Sequence, residues 1–112
     1  MISKALLAAS TKPMILSFLR EGESYGYEII QSIRKISGGS IEWSDAMLYP
    51  VLHRMERDGL IASEWKMSRE GRPRKYYSIT AKGRTDLEAD MKQWMKVHSA
   101  LVQLWKTAKA SD

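Results

Sequence analysis

The sequence predicts a mainly α fold with one small β-hairpin, in the order helix, helix, helix, hairpin, long helix. Three observations predict it. Apolar residues recur at helical spacing in three stretches before Gly59 and one long stretch after Thr80, residues 60–79 alternate as strands do, and serine, threonine and glycine fall where helices start and stop.

A chain of 112 residues supports one domain, whose modest core is often completed by dimerising. We divide it into residues 1–79, three helices and hairpin, and residues 80–112, the last helix, acting as one compact unit. Lysine and arginine number 18 against 13 acids, a formal charge of +5, which favours a polyanionic partner only weakly because many surfaces are simply basic. There is no cysteine, which excludes disulfides, thiolate metal sites and cysteine nucleophiles. Lys4 followed by Ala5-Leu6-Leu7-Ala8-Ala9 imitates a secretory signal, but the apolar run is short and meets Thr11-Lys12-Pro13, so it reads as helix. No stretch approaches the roughly 18 apolar residues of a membrane span, and a cytoplasmic location is expected.

The first helix is expected over Ser3 to Arg20, with Leu6, Leu7, Ile15, Leu16, Phe18 and Leu19 as its apolar set. Pro13 lacks an N–H and should kink it or start a second turn set, and Gly22 closes it. Ser24 offers an N-cap to a second helix, with Tyr27, Ile30, Ile33 and Ile36 following until Ser37-Gly38-Gly39-Ser40 breaks the pattern. Ile41-Glu42-Trp43 is either a short strand or a connection.

Ser44 then caps a third helix that ends at Gly59, with Asp45 near the positive end of its dipole. Pro50 is expected within an irregular first part of that helix, since an interior proline costs on the order of 3 kcal/mol. Leu48, Val51, Leu52 and Met55 share one side, while Ala46, Pro50, His53 and Arg57 lie opposite, flanked by Tyr49 and Arg54. That outer face suits phosphates and base edges, although a merely solvated face would look the same.

Ile61, Ser63, Trp65 and Met67 alternate with Ala62, Glu64 and Lys66 in a first strand, and Arg74 to Ile79 form a second, with Tyr77 and Ile79 on one face and Tyr76 on the other. Ser68 to Pro73 connect them. Helix, helix, helix and hairpin is the order of a winged helix-turn-helix. Between positions 66 and 75 of the hairpin, Lys66, Arg69, Arg72, Arg74 and Lys75 stand against Glu70 alone, a charge density that suits double-stranded DNA, along its phosphates or in a minor groove. A charged hairpin that discourages edge-to-edge pairing is the alternative.

Thr80 caps the last helix, which is expected to run to about Lys106 despite Gly83. Leu87, Met91, Trp94, His98, Leu101, Trp105 and Ala108 follow one another by fours and threes, a heptad seam. So small a domain cannot cover the whole stripe. A partner helix from a second copy is the economical solution, with Leu87, Met91, Trp94, Leu101 and Trp105 at the homodimer interface; packing against the first helix of either copy is the alternative.

Three runs, in this order, resemble the PadR family of bacterial transcriptional regulators, in its short form with one C-terminal helix. They are Ser24-Tyr25-Gly26-Tyr27-Glu28-Ile29, Met47-Leu48-Tyr49-Pro50-Val51-Leu52-His53-Arg54-Met55-Glu56-Arg57-Asp58-Gly59-Leu60-Ile61, and Gly71-Arg72-Pro73-Arg74-Lys75-Tyr76-Tyr77-Ser78-Ile79-Thr80. The similarity covers roughly Ser10 to Val97. It implies a winged helix-turn-helix dimer joined through its first and last helices, usually a repressor relieved by a small molecule. It makes Tyr49 and the basic wing residues DNA contacts, and a proline after that tyrosine is common in the family. Asp45-Ala46-Met47 stands where the family often has a small residue or glycine, so no base preference transfers.

The DNA-contact set is therefore Ala46, Tyr49, His53, Arg54, Arg57, Arg72, Arg74 and Lys75, reading a pseudo-palindromic operator. Trp94 matches a position where some multidrug-sensing members carry a tryptophan facing its mate across a dimer cavity. With Met91, Met95 and His98 around it, the resemblance implies a site for a planar apolar effector, against the alternative of plain interface core. His53 and His98 are the two histidines, and neither sits in a nucleophile or metal pattern, so no catalytic residue, metal or cofactor is expected. Asp86, Glu88 and Asp90 suit the dipole of the last helix better than catalysis. A winged-helix module that binds an acidic protein instead of DNA is the other function these features allow.

Overall fold

A computed structural model describes the backbone of residues 1–111 and the side chains of residues 1–107. Ala108, the last position of the predicted seam, lies outside the described side chains. The elements are α1 (Lys4–Arg20), β1 (Ser24–Tyr25), α2 (Gly26–Ile36), α3 (Asp45–Arg57), β2 (Ile61–Met67), β3 (Pro73–Ile79) and α4 (Ala81–Ser111). The three strands form one antiparallel sheet in the order β1-β3-β2. No helix among the described residues is long and apolar enough to cross a membrane.

Local chemistry sets the helix ends. Ser3 and Ser44 cap α1 and α3, accepting from the N–H groups of Leu6 and Met47 at 3.2 Å each. α3 stops where Gly59 takes a φ of +79°, a left-handed conformation that lets the Leu60 N–H turn back to the Met55 carbonyl at 3.0 Å. Thr80 caps α4: its Oγ1 accepts from Gly83 at 3.0 Å, while its hydroxyl donates to the Gly59 carbonyl at 2.6 Å. One threonine thus joins the start of α4 to the end of α3.

The core is assembled from every layer. Ile15, Leu16 and Leu19 of α1 meet Ile29 and Ile33 of α2, Leu48, Leu52 and Met55 of α3, Ile61 and Tyr77 of the sheet, and Leu87 of α4. Ile41 and Trp43 are also buried, though their segment is a connection without strand pairing.

Several expectations are corrected. Ser24 does not cap α2; it sits in β1 opposite Tyr77, and its hydroxyl donates to Glu28 Oε1 at 2.5 Å, while Tyr25 occupies the cap position without a side-chain bond. The inward face of α2 is Gly26, Ile29 and Ile33, and Tyr27 and Ile36 are exposed. α3 is helical straight through Pro50 rather than irregular before it. Pro50 and Ala46 are both exposed residues, on the side of the helix where the Ala46 carbonyl that proline leaves without a helical donor costs least. Pro73 belongs to β3, paired with Met67, and α4 continues past Lys106 to Ser111.

Two corrections bear on function. Trp65 and Met67 share the inward face of β2 in register but are exposed, because the body beneath the strand ends before them. Leu87 is buried within its own chain, 3% exposed, so it belongs to the domain core and not to the part of the seam that a second copy would cover.

Candidate nucleic-acid interface

The outward side of α3 follows from its burial pattern. With Leu48, Leu52 and Met55 turned into the core, Ala46, Pro50, His53 and Arg57 stand exposed as one strip. Arg54 is exposed on one flank, at the rim of a cleft of about 600 Å³ that also takes in Lys4, Lys12 and Trp43. Tyr49 lies on the other flank, half-buried. Its ring end closes over Gly26, where an added Cβ would meet Tyr49 Cζ at 2.7 Å, and its ring centroid is 6.4 Å from that of His53. Gly26 is thus what lets the second helix of the motif approach the third.

The wing pairs Ile61 with Ile79 at its base and Met67 with Pro73 at its tip. Its basic residues divide by location. Arg69 and Arg72 occupy the exposed turn and make no ion pair among the described residues. The Glu70 carboxyl beside them is held below its usual range by a hydrogen bond from its own backbone, then by the Ser68 hydroxyl and the charges of Arg74 and Arg72.

The other three basic residues are engaged inside the chain. Lys66 Nζ donates to both oxygens of Glu23 at 2.6 Å. The Arg74 guanidinium lies 4.3 Å from the Tyr25 ring centroid, its Nε buried, and Tyr25 meets Tyr76 edge-on at 5.4 Å. Lys75 Nζ is 4.0 Å from Glu56 Oε1, and the Ser63 hydroxyl donates to Glu56 Oε2 at 2.5 Å. Glu56 therefore ties the end of α3 to both strands. Of the expected DNA contacts, Ala46, His53 and Arg57 form one face and Arg72 stands free at the tip, whereas Arg74 packs against β1 and Lys75 is held beside α3.

Sequence reasoning missed β1 and its anchoring role. Glu23 and Tyr25 hold the wing through Lys66 and Arg74, and a two-residue strand is too short to show a period of two. The one available signal was an isolated Ser-Tyr pair ahead of a helix-opening glycine.

A second site lies away from this face. Met91, Trp94, Met95 and His98 of α4 line one groove of about 750 Å³, closed on its other side by Pro13, Met14 and Phe18 of α1 and the C-terminal end of α2. The four residues expected to bind an effector are thus together, in a groove that one chain builds. Beyond it on α4, Leu101, Leu104 and Trp105 are exposed. Among the described residues no group of histidine or carboxylate side chains is arranged to hold a metal ion.

Residues 15–89 match the transcriptional regulator PadR-like family. A PadR-like transcriptional regulator of Bacillus cereus superimposes with a TM-score of 0.82 at 33% identity, covering 90% of this chain and 96% of that one. A transcriptional regulator of Clostridium thermocellum gives 0.82 at 29% identity, over 92% and 97%. The transcriptional regulator Rv3488 of Mycobacterium tuberculosis is 35% identical over 82 residues, 73% of each chain. A family match across two thirds of the sequence, carried by a helix-turn-helix with its wing in place, places this chain in the PadR-like family of transcriptional regulators.

Proposed function

We propose that the protein is a sequence-specific DNA-binding repressor that acts in the cytoplasm as a homodimer. One observation carries the reading: the exposed strip Ala46, Pro50, His53 and Arg57 stands beside a wing whose tip arginines, Arg69 and Arg72, make no ion pair among the described residues. α3 enters a major groove, its strip toward base edges, and the wing tip reaches the adjacent backbone or minor groove. Relatives described as transcriptional regulators support the same reading. Residues 1–79 form the reading head, and residues 80–112 join it to a second copy through Leu101 and Trp105. Two heads then address half-sites about 34–36 Å apart, or a multiple of that.

Selection of binding sites from random duplex DNA at fixed salt tests this. A symmetric motif is expected, with an affinity that falls steeply as salt rises. Neutralising Arg72 should weaken binding to all sequences and flatten the salt slope by roughly one, whereas replacing His53 should alter the preferred sequence. Absence of salt-dependent duplex binding would point to an acidic protein partner instead.

Relief of repression is assigned to the groove around Trp94. A planar apolar compound seated among Met91, Trp94, Met95 and His98 would alter how α4 lies on α1, and so the spacing of the two heads. Planar dyes titrated against tryptophan emission should quench the native protein more than Trp94→Ala and should lower operator affinity. Equal quenching of both would remove Trp94 from an effector site.

A further inference from the structure

The outer half of the wing carries an apolar surface that no described residue covers. In the antiparallel register, Ile61, Ser63, Trp65 and Met67 lie across from Ile79, Tyr77, Lys75 and Pro73, on one face of the hairpin. At the base this face is core, with Ile61 and Tyr77 buried. Ser63 meets Glu56 in the last turn of α3, and there the body ends. Each further pair of residues advances the strand by roughly 6–7 Å, so Trp65 and Met67 project past the helix end. They are 67% and 66% exposed.

The side on which this surface stands is fixed by its neighbour. Lys75, directly across from Trp65, reaches back to Glu56. The apolar face is therefore turned toward α3, not away from it. The opposite face of the hairpin is held by β1 through Lys66–Glu23 and Arg74–Tyr25, which keeps the wing extended.

We infer that Trp65 and Met67 form an apolar contact surface for the minor groove of duplex DNA, next to the major groove that α3 occupies. The inference rests on the DNA-binding reading above. The occupant follows from charge and shape. Arg69 and Arg72, which make no ion pair among the described residues, edge the patch at the tip with cations, which suits a polyanion and opposes a basic protein such as a second copy of this chain, whose formal charge is +5. The walls of a minor groove are deoxyribose C–H surfaces between two phosphate rows, and proteins that enter it set apolar side chains against sugars and base steps while arginine answers its negative potential. A flat indole beside a flexible thioether, edged by guanidinium groups, matches that surface. This contact contributes affinity that salt does not screen, and it favours sequences whose minor groove admits the ring.

The test compares the native protein, Trp65→Phe and the double variant Trp65→Ala/Met67→Ala on the selected operator duplex across a salt series. Circular dichroism and the thermal midpoint should match the native values, because both side chains are exposed. The double variant should lose affinity on the order of tenfold, as expected for one large apolar side chain no longer buried, with the slope of log affinity against log salt unchanged. Trp65→Phe should bind within about threefold of native and lack the change in tryptophan emission that native protein shows on adding duplex. The inference is overturned if the double variant binds as tightly as native. A change in salt slope instead would also overturn it, as would a loss of dimer in sedimentation, which would make the patch a contact between copies. If the native protein itself binds no duplex, the DNA-binding reading falls first and this contact with it.

Discussion

The ring end of Tyr49 lies where a side chain on Gly26 would begin. That contact joins the first turn of α2 to α3. Gly26→Ala should push the ring outward, cost about 1 kcal/mol of stability and weaken operator binding. In a Tyr49→Ala background the same substitution should be neutral or favourable, since alanine is the better helix former. Urea unfolding of the four proteins in a double-mutant cycle measures the coupling, and additive effects would mean the ring does not hold the two helices in place.

Gly83 is a second close approach. A Cβ there would overlap the Leu60 carbonyl oxygen and come within 2.9 Å of Ile79 Cγ1. Helix propensity alone favours alanine over glycine by about 1 kcal/mol, while overpacking typically costs 1–3 kcal/mol. Because the obstruction is backbone, the second effect should win. Gly83→Ala is expected to lower stability by about 1–2 kcal/mol, read as a lower urea midpoint at unchanged slope.

Tyr77 is fully buried, and its hydroxyl has no hydrogen-bond partner among the described residues. Tyr77→Phe should therefore be close to neutral near pH 7. Burial, helped by Glu56 and Tyr49, pushes the hydroxyl up to about 12 from an ordinary 10. The folded state thus holds this proton more tightly than the unfolded chain. The associated stability is complete below pH 10 and is lost as pH rises from 10 through about 12. Alkaline unfolding followed by tyrosinate absorbance should shift upward in Tyr77→Phe, and an identical profile would show that another group drives it.

Leu101 is 61% exposed in the single chain, so Leu101→Glu should leave the monomer folded. If the end of α4 joins two copies, an unpaired carboxylate in that contact should raise the dimer dissociation constant at least about a hundredfold. Sedimentation equilibrium reads this directly. A fully dimeric variant would move the interface away from Leu101.

The helices were legible because their signals are local. Ser44 and Thr80 announce their caps, Gly59 announces the left-handed stop, and Leu48, Leu52 and Met55 keep a helical period. What escaped were features set by neighbours distant in sequence. Nothing near Ser24 reveals Tyr77 opposite it, so the serine read as a cap when it is a strand residue. Trp65 and Met67 fit an inward alternation but stand where the body has run out, a limit set by the end of α3 eight residues earlier. Arg74 and Lys75 counted equally with Arg72 as basic residues, and only packing separates the stacked and paired cations from the free one. Leu87 belonged to the seam by spacing, yet the domain covers it.

The strand order β1-β3-β2 also has a consequence in time. Tyr25 waits for Tyr76, its partner in the central strand, which lies more than fifty residues further along the chain. At a synthesis rate of about 5–20 residues per second, α1 and α2 spend roughly 3–10 s on the nascent chain without the strand that fixes the start of α2. The hairpin of β2 and β3 pairs residues close in sequence and is expected to close first, with β1 added to it afterwards. The wing is thus also the template on which the helix-turn-helix is finished. A chain interrupted before Ile79 carries the sequence of α1, α2 and α3 but no complete central strand to hold the second of them in place.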